Sequence, residues 1–194
     1  MSRTSDSILS SKRIAAVVCV AILLVGLGHM AFATQDKYTV QVPGGLAFSE
    51  FQGYEDWQTV AVSQTEAVIN AILANPVTID AYRAGVPANG KPFPDGSKTA
   101  KIAWKAKKST DAPDPTTVVS DTLKGVGFMI RDSKRFPDSG GWGWAQFKYD
   151  TASDTFKPFT TDDVPPQAND AKCGLAWHTI AQAKDYVFTA YPKR

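Results

Sequence analysis

The chain's clearest pattern is a two-residue alternation. From Ser97 to Lys107, Ala100, Ile102, Trp104 and Ala106 fall on one side. Thr99, Lys101, Ala103, Lys105 and Lys107 fall on the other. A period of two marks a strand with one buried face. Val118 to Ile130 predicts a second strand, with Val126, Phe128 and Ile130 on one face, and Trp142 to Tyr149 a third. Trp57 to Val62 alternates more loosely, with Val60 and Val62 on one side. Glu66 to Ala74 fits two periods. Ala67, Val68, Ala71, Ile72 and Ala74 make a helical face, yet Val68-Ile69 and Ile72-Leu73 suit a strand.

The breaks between these runs carry their own chemistry. Asn75-Pro76 pairs an N-cap with a proline at the first helical position. It predicts a short helix through Ala84, ended by Gly85. Lys91 to Gly96 is a turn built on Pro94-Asp95-Gly96. Ser109 to Thr117 and Arg131 to Gly141 read as polar loops, and Asp150 to Ala171 as turn-rich, with Pro165-Pro166 near its end. Gly140-Gly141-Trp142-Gly143-Trp144 reads as a tight sheet corner, where backbone passes beside bulky rings. Thr34 to Gly53 is a lead-in with little regular structure and a turn at Pro43-Gly44-Gly45. Phe48, Phe51, Tyr54 and Trp57, spaced by three, cap a core.

The first residues change how the rest is counted. Lys12 and Arg13 precede the apolar run Ile14 to Leu27, and Ala31-Phe32-Ala33 has the form of a cleavage site. Residues 1–33 therefore read as a signal peptide and 34–194 as the mature domain, periplasmic or secreted. The competing reading is an uncleaved anchor, for which the run is short. The segment holds three of the 21 basic and one of the 19 acidic residues, leaving 18 of each. That balance, with dispersed lysines, argues against a nucleic-acid partner. Cys19 and His29 leave with the segment. One cysteine, Cys173, and one histidine, His178, remain, so no disulfide forms within the mature chain.

Cys173-Gly174-Leu175-Ala176-Trp177-His178 lies one residue away in spacing from a c-type haem attachment site, C-x-x-C-H. His178 is the only imidazole left to bind iron, and Cys173 can form one thioether. Trp177 stands where a second thiol is expected and offers a flat face to a porphyrin edge. A zinc site needs more ligands than the neighbourhood holds. A Cys–His nucleophile pair needs an orienting group that the sequence does not identify.

At this point the chain resembles the cytochrome P-460 family, which includes the cytochrome c′-beta proteins. The resemblance rests on Trp57 and the strand after it, and on Asn75-Pro76 leading to Ala81-Tyr82-Arg83-Ala84-Gly85. It continues through Phe93-Pro94-Asp95-Gly96-Ser97 followed by Lys101, Phe128-Met129 with Arg131-Asp132-Ser133, and Gly140-Gly141-Trp142-Gly143. It ends in Cys173, His178-Thr179 and Asp185-Tyr186-Val187-Phe188-Thr189. It implies a single α+β domain, predominantly antiparallel β-sheet with a few short helices, forming a homodimer. It also implies haem c near the C-terminus, iron bound by the motif histidine, and an open opposite side. Some members oxidise hydroxylamine and carry a lysine linked to the porphyrin, for which Lys101 is the best match beside Lys98 and Lys105. Others bind nitric oxide. The expectation is an exported haem protein holding haem through Cys173, with Trp177 and Lys101 lining its site. Its partners would be a small nitrogenous ligand or substrate and a redox protein. The alternative is a haem-free binding or structural module, with Trp142 and Trp144 on an aromatic surface and Trp177 closing the pocket.

Overall fold

Every predicted strand forms, and each pairs with the next along the chain. The computed structural model describes residues 34–160 and 169–193. Residues 1–33, expected to be a signal peptide and holding Cys19 and His29, and the Pro165-Pro166 pair, lie outside the described residues. Six strands form one antiparallel sheet in the order of the sequence: β1 (Gln58–Gln64), β2 (Val68–Ala74), β3 (Lys98–Lys108), β4 (Val118–Arg131), β5 (Trp142–Asp150) and β6 (Thr155–Pro158). Among the described residues two α-helices, α1 (Pro76–Arg83) and α2 (Asn169–His178), complete an α+β fold. The ambiguous run before Asn75 is the strand β2 and not a helix, because it lies between β1 and β3 and bonds to both. Neither β6 nor α2 is legible in the periodicity.

Local chemistry sets the boundaries as expected. The Asn75 side chain accepts the Thr78 N–H at 3.1 Å and caps α1, which opens on Pro76. Gly85 follows the helix at φ +88°, a conformation that glycine adopts without a Cβ penalty. One expectation fails. Val60 is buried but Val62 is 67% exposed. A register shift between Thr59 and Ala61 places an extra residue in β1, and such a bulge breaks the alternation.

The two faces of the sheet are filled differently. On one, Phe128 stacks on Phe51 at 4.1 Å between ring centroids. It meets Phe48, Tyr54 and Phe147 edge-on at 5.1, 5.2 and 5.9 Å. The lead-in segment supplies Val42, Leu46, Phe48 and Phe51, all fully buried, so it forms the centre of this core and does not merely cap it. Burial here pushes the Tyr54 phenol up to about 12, with Tyr38 adding to the effect. On the other face, α1, α2 and the C-terminal segment cover Ala74, Met129, Trp142 and Trp144. The rest of that face is a groove.

Candidate functional site

The second face is a set of cross-strand rows. Ala74, Thr99, Met129 and Trp144 form one row; Ile72, Lys101, Gly127 and Gln146 the next; Asn70, Ala103, Gly125 and Lys148 the one beyond. Helix α2 sits on the first row. Gly174 makes this possible, since a Cβ there would lie 2.7 Å from Trp144 Cγ. The next two rows floor an open groove of about 580 Å³. Lys101, Lys105, Lys124 and Lys148 line it, and among the described residues its lining holds no Asp, Glu or His. Gly125 and Gly127 keep its floor low. Gly125 has no freedom to change, because a Cβ would stand 2.2 Å from the Phe147 carbonyl oxygen at φ +151°.

Residues four apart share a helix face. Cys173 and Trp177 accordingly stand together on the outside of α2. The thiol is exposed and the indole is 69% exposed. His178, one position on, turns inward at the last residue of the helix. Its ring lies 5.6 Å from Trp144 and 5.0 Å from Phe188. His178 Nδ1 is 2.6 Å from the Tyr186 carbonyl oxygen. A carbonyl only accepts, so Nδ1 carries the proton and Nε2 keeps its lone pair. Burial lowers the imidazole pKa from its ordinary 6.5. The Tyr186 bond opposes that effect, and the Lys101 cation adds to it. The ring is thereby neutral near pH 7, as a metal ligand must be.

The Tyr186 carbonyl is held by a strained turn. Asp185 and Tyr186 take φ values of 51° and 63°, left-handed positions that cost a non-glycine residue about 1–3 kcal/mol each. The Asp185 carboxylate accepts the Phe93 N–H at 2.7 Å and the Arg131 guanidinium at 2.9 Å, and the Trp142 side chain lies near it. Burial raises the Asp185 pKa and outweighs these three partners, which pull it down. Arg131 also donates to the Gly140 carbonyl at 2.6 Å. A Cβ on Gly140 would lie 2.3 Å from the Tyr186 ring. Four scattered sequence blocks, around Phe93, Arg131, Gly140 and Asp185, thus meet beside His178.

Of the expected site residues, Lys101 and His178 come into electrostatic reach of each other, and Cys173 shares the helix of His178. Of the four, only Lys101 lines the groove; Cys173, Trp177 and His178 lie outside its lining, and Trp177 faces solvent. Of the alternative lysines, Lys98 points to the opposite face, where its Nζ donates to the Glu50 carbonyl at 2.5 Å. Lys105 lines the groove farther along β3. The aromatic surface expected for a haem-free module is not formed. Trp142 is fully buried and Trp144 is 5% exposed, because α2 and the C-terminal segment cover them. Sequence reasoning missed Asp185, Arg131 and Gly174 as site-building residues. Their signal was present only as motif blocks of unassigned purpose.

A meandering antiparallel sheet carrying one inward imidazole at the end of a C-terminal helix defines a small α+β domain built around a single nitrogen donor. The sequence pattern of the Cytochrome P460 family matches residues 51–189, and the chain belongs to that family. Membership implies a haem-binding protein. No curated protein matches the chain.

Proposed function

We propose that this protein is exported and binds haem through His178 Nε2, with Cys173 as its one covalent anchor and the lysine-lined groove beside it open to a small ligand. The carrying observation is the 2.6 Å contact between His178 Nδ1 and the Tyr186 carbonyl, which leaves Nε2 as the donor. Such an outer hydrogen bond is the usual partner of a metal-bound imidazole. When bound, haem would supply an iron that the His178 imidazole could hold and that can bind a diatomic molecule. The groove's two glycines leave room over β4 for a flat ring, and Lys101 faces that room.

Between the two ligand chemistries, the lining favours binding of nitric oxide over oxidation of hydroxylamine. Oxidising hydroxylamine releases protons, and a base in hydrogen-bond reach normally takes them. Among the described residues the groove offers lysines and no carboxylate or imidazole. A pocket closed by Trp177 is disfavoured by the 69% exposure of that side chain. A homodimer and an exchange of electrons with a protein partner accompany this reading.

The test is to export the chain through a c-type maturation system, then record absorption and intact mass. The expected result is a Soret band and one haem of added mass that survives denaturation. Nitric oxide should shift the spectrum of the reduced protein, and hydroxylamine with an acceptor should give no turnover. His178→Ala should lose the wild-type spectrum. A Soret band without added mass would remove Cys173 as an anchor. No band, with haem and the machinery supplied, would overturn the reading.

A further inference from the structure

His178 is oriented at second hand. The Tyr186 carbonyl selects the proton position on its ring, and an unconstrained imidazole populates both tautomers. That carbonyl is aimed by two successive left-handed residues, neither of them glycine. An isolated peptide would relax such a turn. What prevents relaxation is the Asp185 carboxylate, fixed by the Phe93 N–H and the Arg131 guanidinium. Arg131 is fixed in turn by the Gly140 carbonyl. The ion pair is almost enclosed, with both side chains 12% exposed, so water competes little for it.

We infer that Asp185, gripped by Arg131, is a positioning residue that sets the tautomer and ring plane of His178 through the Tyr186 carbonyl. The inference rests on reading His178 as the iron ligand for its purpose, but the effect on the ring exists without haem. Asp185 acts through the Tyr186 carbonyl, by keeping Nε2 free of a proton and the imidazole at a fixed angle. Two unconnected stretches of the chain are thereby tied to one nitrogen atom.

The experiment uses haem-free, nitrogen-15-labelled protein at a pH well above the imidazole's ordinary 6.5. Two-bond proton–nitrogen correlations report which ring nitrogen carries the proton. In the unsubstituted protein His178 should be a single tautomer protonated at Nδ1. In Asp185→Asn the other tautomer should rise roughly three- to tenfold, the ratio set by the net worth of one hydrogen bond. Arg131→Lys should move the ratio the same way by less, and it carries the test alone if Asp185→Asn does not fold. A folded Asp185→Asn protein whose His178 stays wholly Nδ1-protonated overturns the inference. Haem uptake is measured separately on the same proteins. Failure of the unsubstituted chain to take haem would refute the proposed function and leave the tautomer result standing.

Discussion

The two faces of β4 are one strand used in two ways. Val126, Phe128 and Ile130 point to a core closed by rings from the lead-in segment, and all three are buried. Gly125, Gly127 and Met129 point to the other side, where only the methionine is covered by a helix. The first face completes its own packing. The second stops short, and the missing volume is glycine. Under the proposed function, stability and ligand access fall on opposite sides of the same backbone, and each should be alterable without the other.

The largest expected effect comes from emptying the closed face. Phe128 is 2% exposed and meets four other rings. Phe128→Ala should cost about 3–5 kcal/mol, the sum of lost transfer energy and a cavity that the sheet cannot collapse. Chemical denaturation measures this. At temperatures where the variant remains folded, the haem spectrum should match that of the unsubstituted protein. A small loss of stability together with an altered spectrum would mean that the two faces are not separate.

A smaller effect, opposite in sign to naive expectation, comes from the seam between α2 and β5. In an exposed helix, alanine is better than glycine by about 1 kcal/mol. At residue 174 the new methyl would meet Trp144 Cγ at 2.7 Å and Cβ at 2.8 Å. Gly174→Ala should therefore destabilise, by about 1–3 kcal/mol for overpacking. It should also shift the His178 ring resonances, because α2 cannot stay seated on Trp144. A more stable Gly174→Ala protein would place the helix farther from the sheet than described here.

This asymmetry explains what the sequence could reveal. Alternation exposes strands whose faces differ in polarity, so β3 and β4 were plain. The cap at Asn75-Pro76 is local chemistry and was equally plain. β6 is four residues long, too short for a period, and α2 carries no apolar stripe because Cys173 and Trp177 face outward while Gly174 faces in. The imidazole and thiol were legible because each is the one of its kind after residue 33. The Asp185 turn was not. Its meaning lies in contacts with Phe93 and Arg131, 92 and 54 residues away, and no spacing rule spans such distances. The face of each lysine was half legible. Parity separates Lys98 from Lys101, but only the fold tells which parity looks toward His178.

The smallest change in stability should accompany the sharpest change in access. Gly125 and Gly127 lie on one face of one strand, yet only the first is required by the backbone. At Gly127 a Cβ would meet nothing closer than Lys101 Cε at 3.8 Å, an ordinary contact, and the backbone there is not left-handed. A β-branched residue suits a strand better than glycine, so Gly127→Val should leave stability unchanged or raise it by about 0.5–1 kcal/mol. Its side chain would stand in the groove, in the row that holds Lys101 and Gln146. Haem loading, or the rate of nitric oxide binding to loaded protein, should fall while the melting temperature holds. If Gly127→Val binds both as the unsubstituted protein does, the open half of this face is not where the ligand enters, and the contrast between the two sides of β4 is one of packing alone.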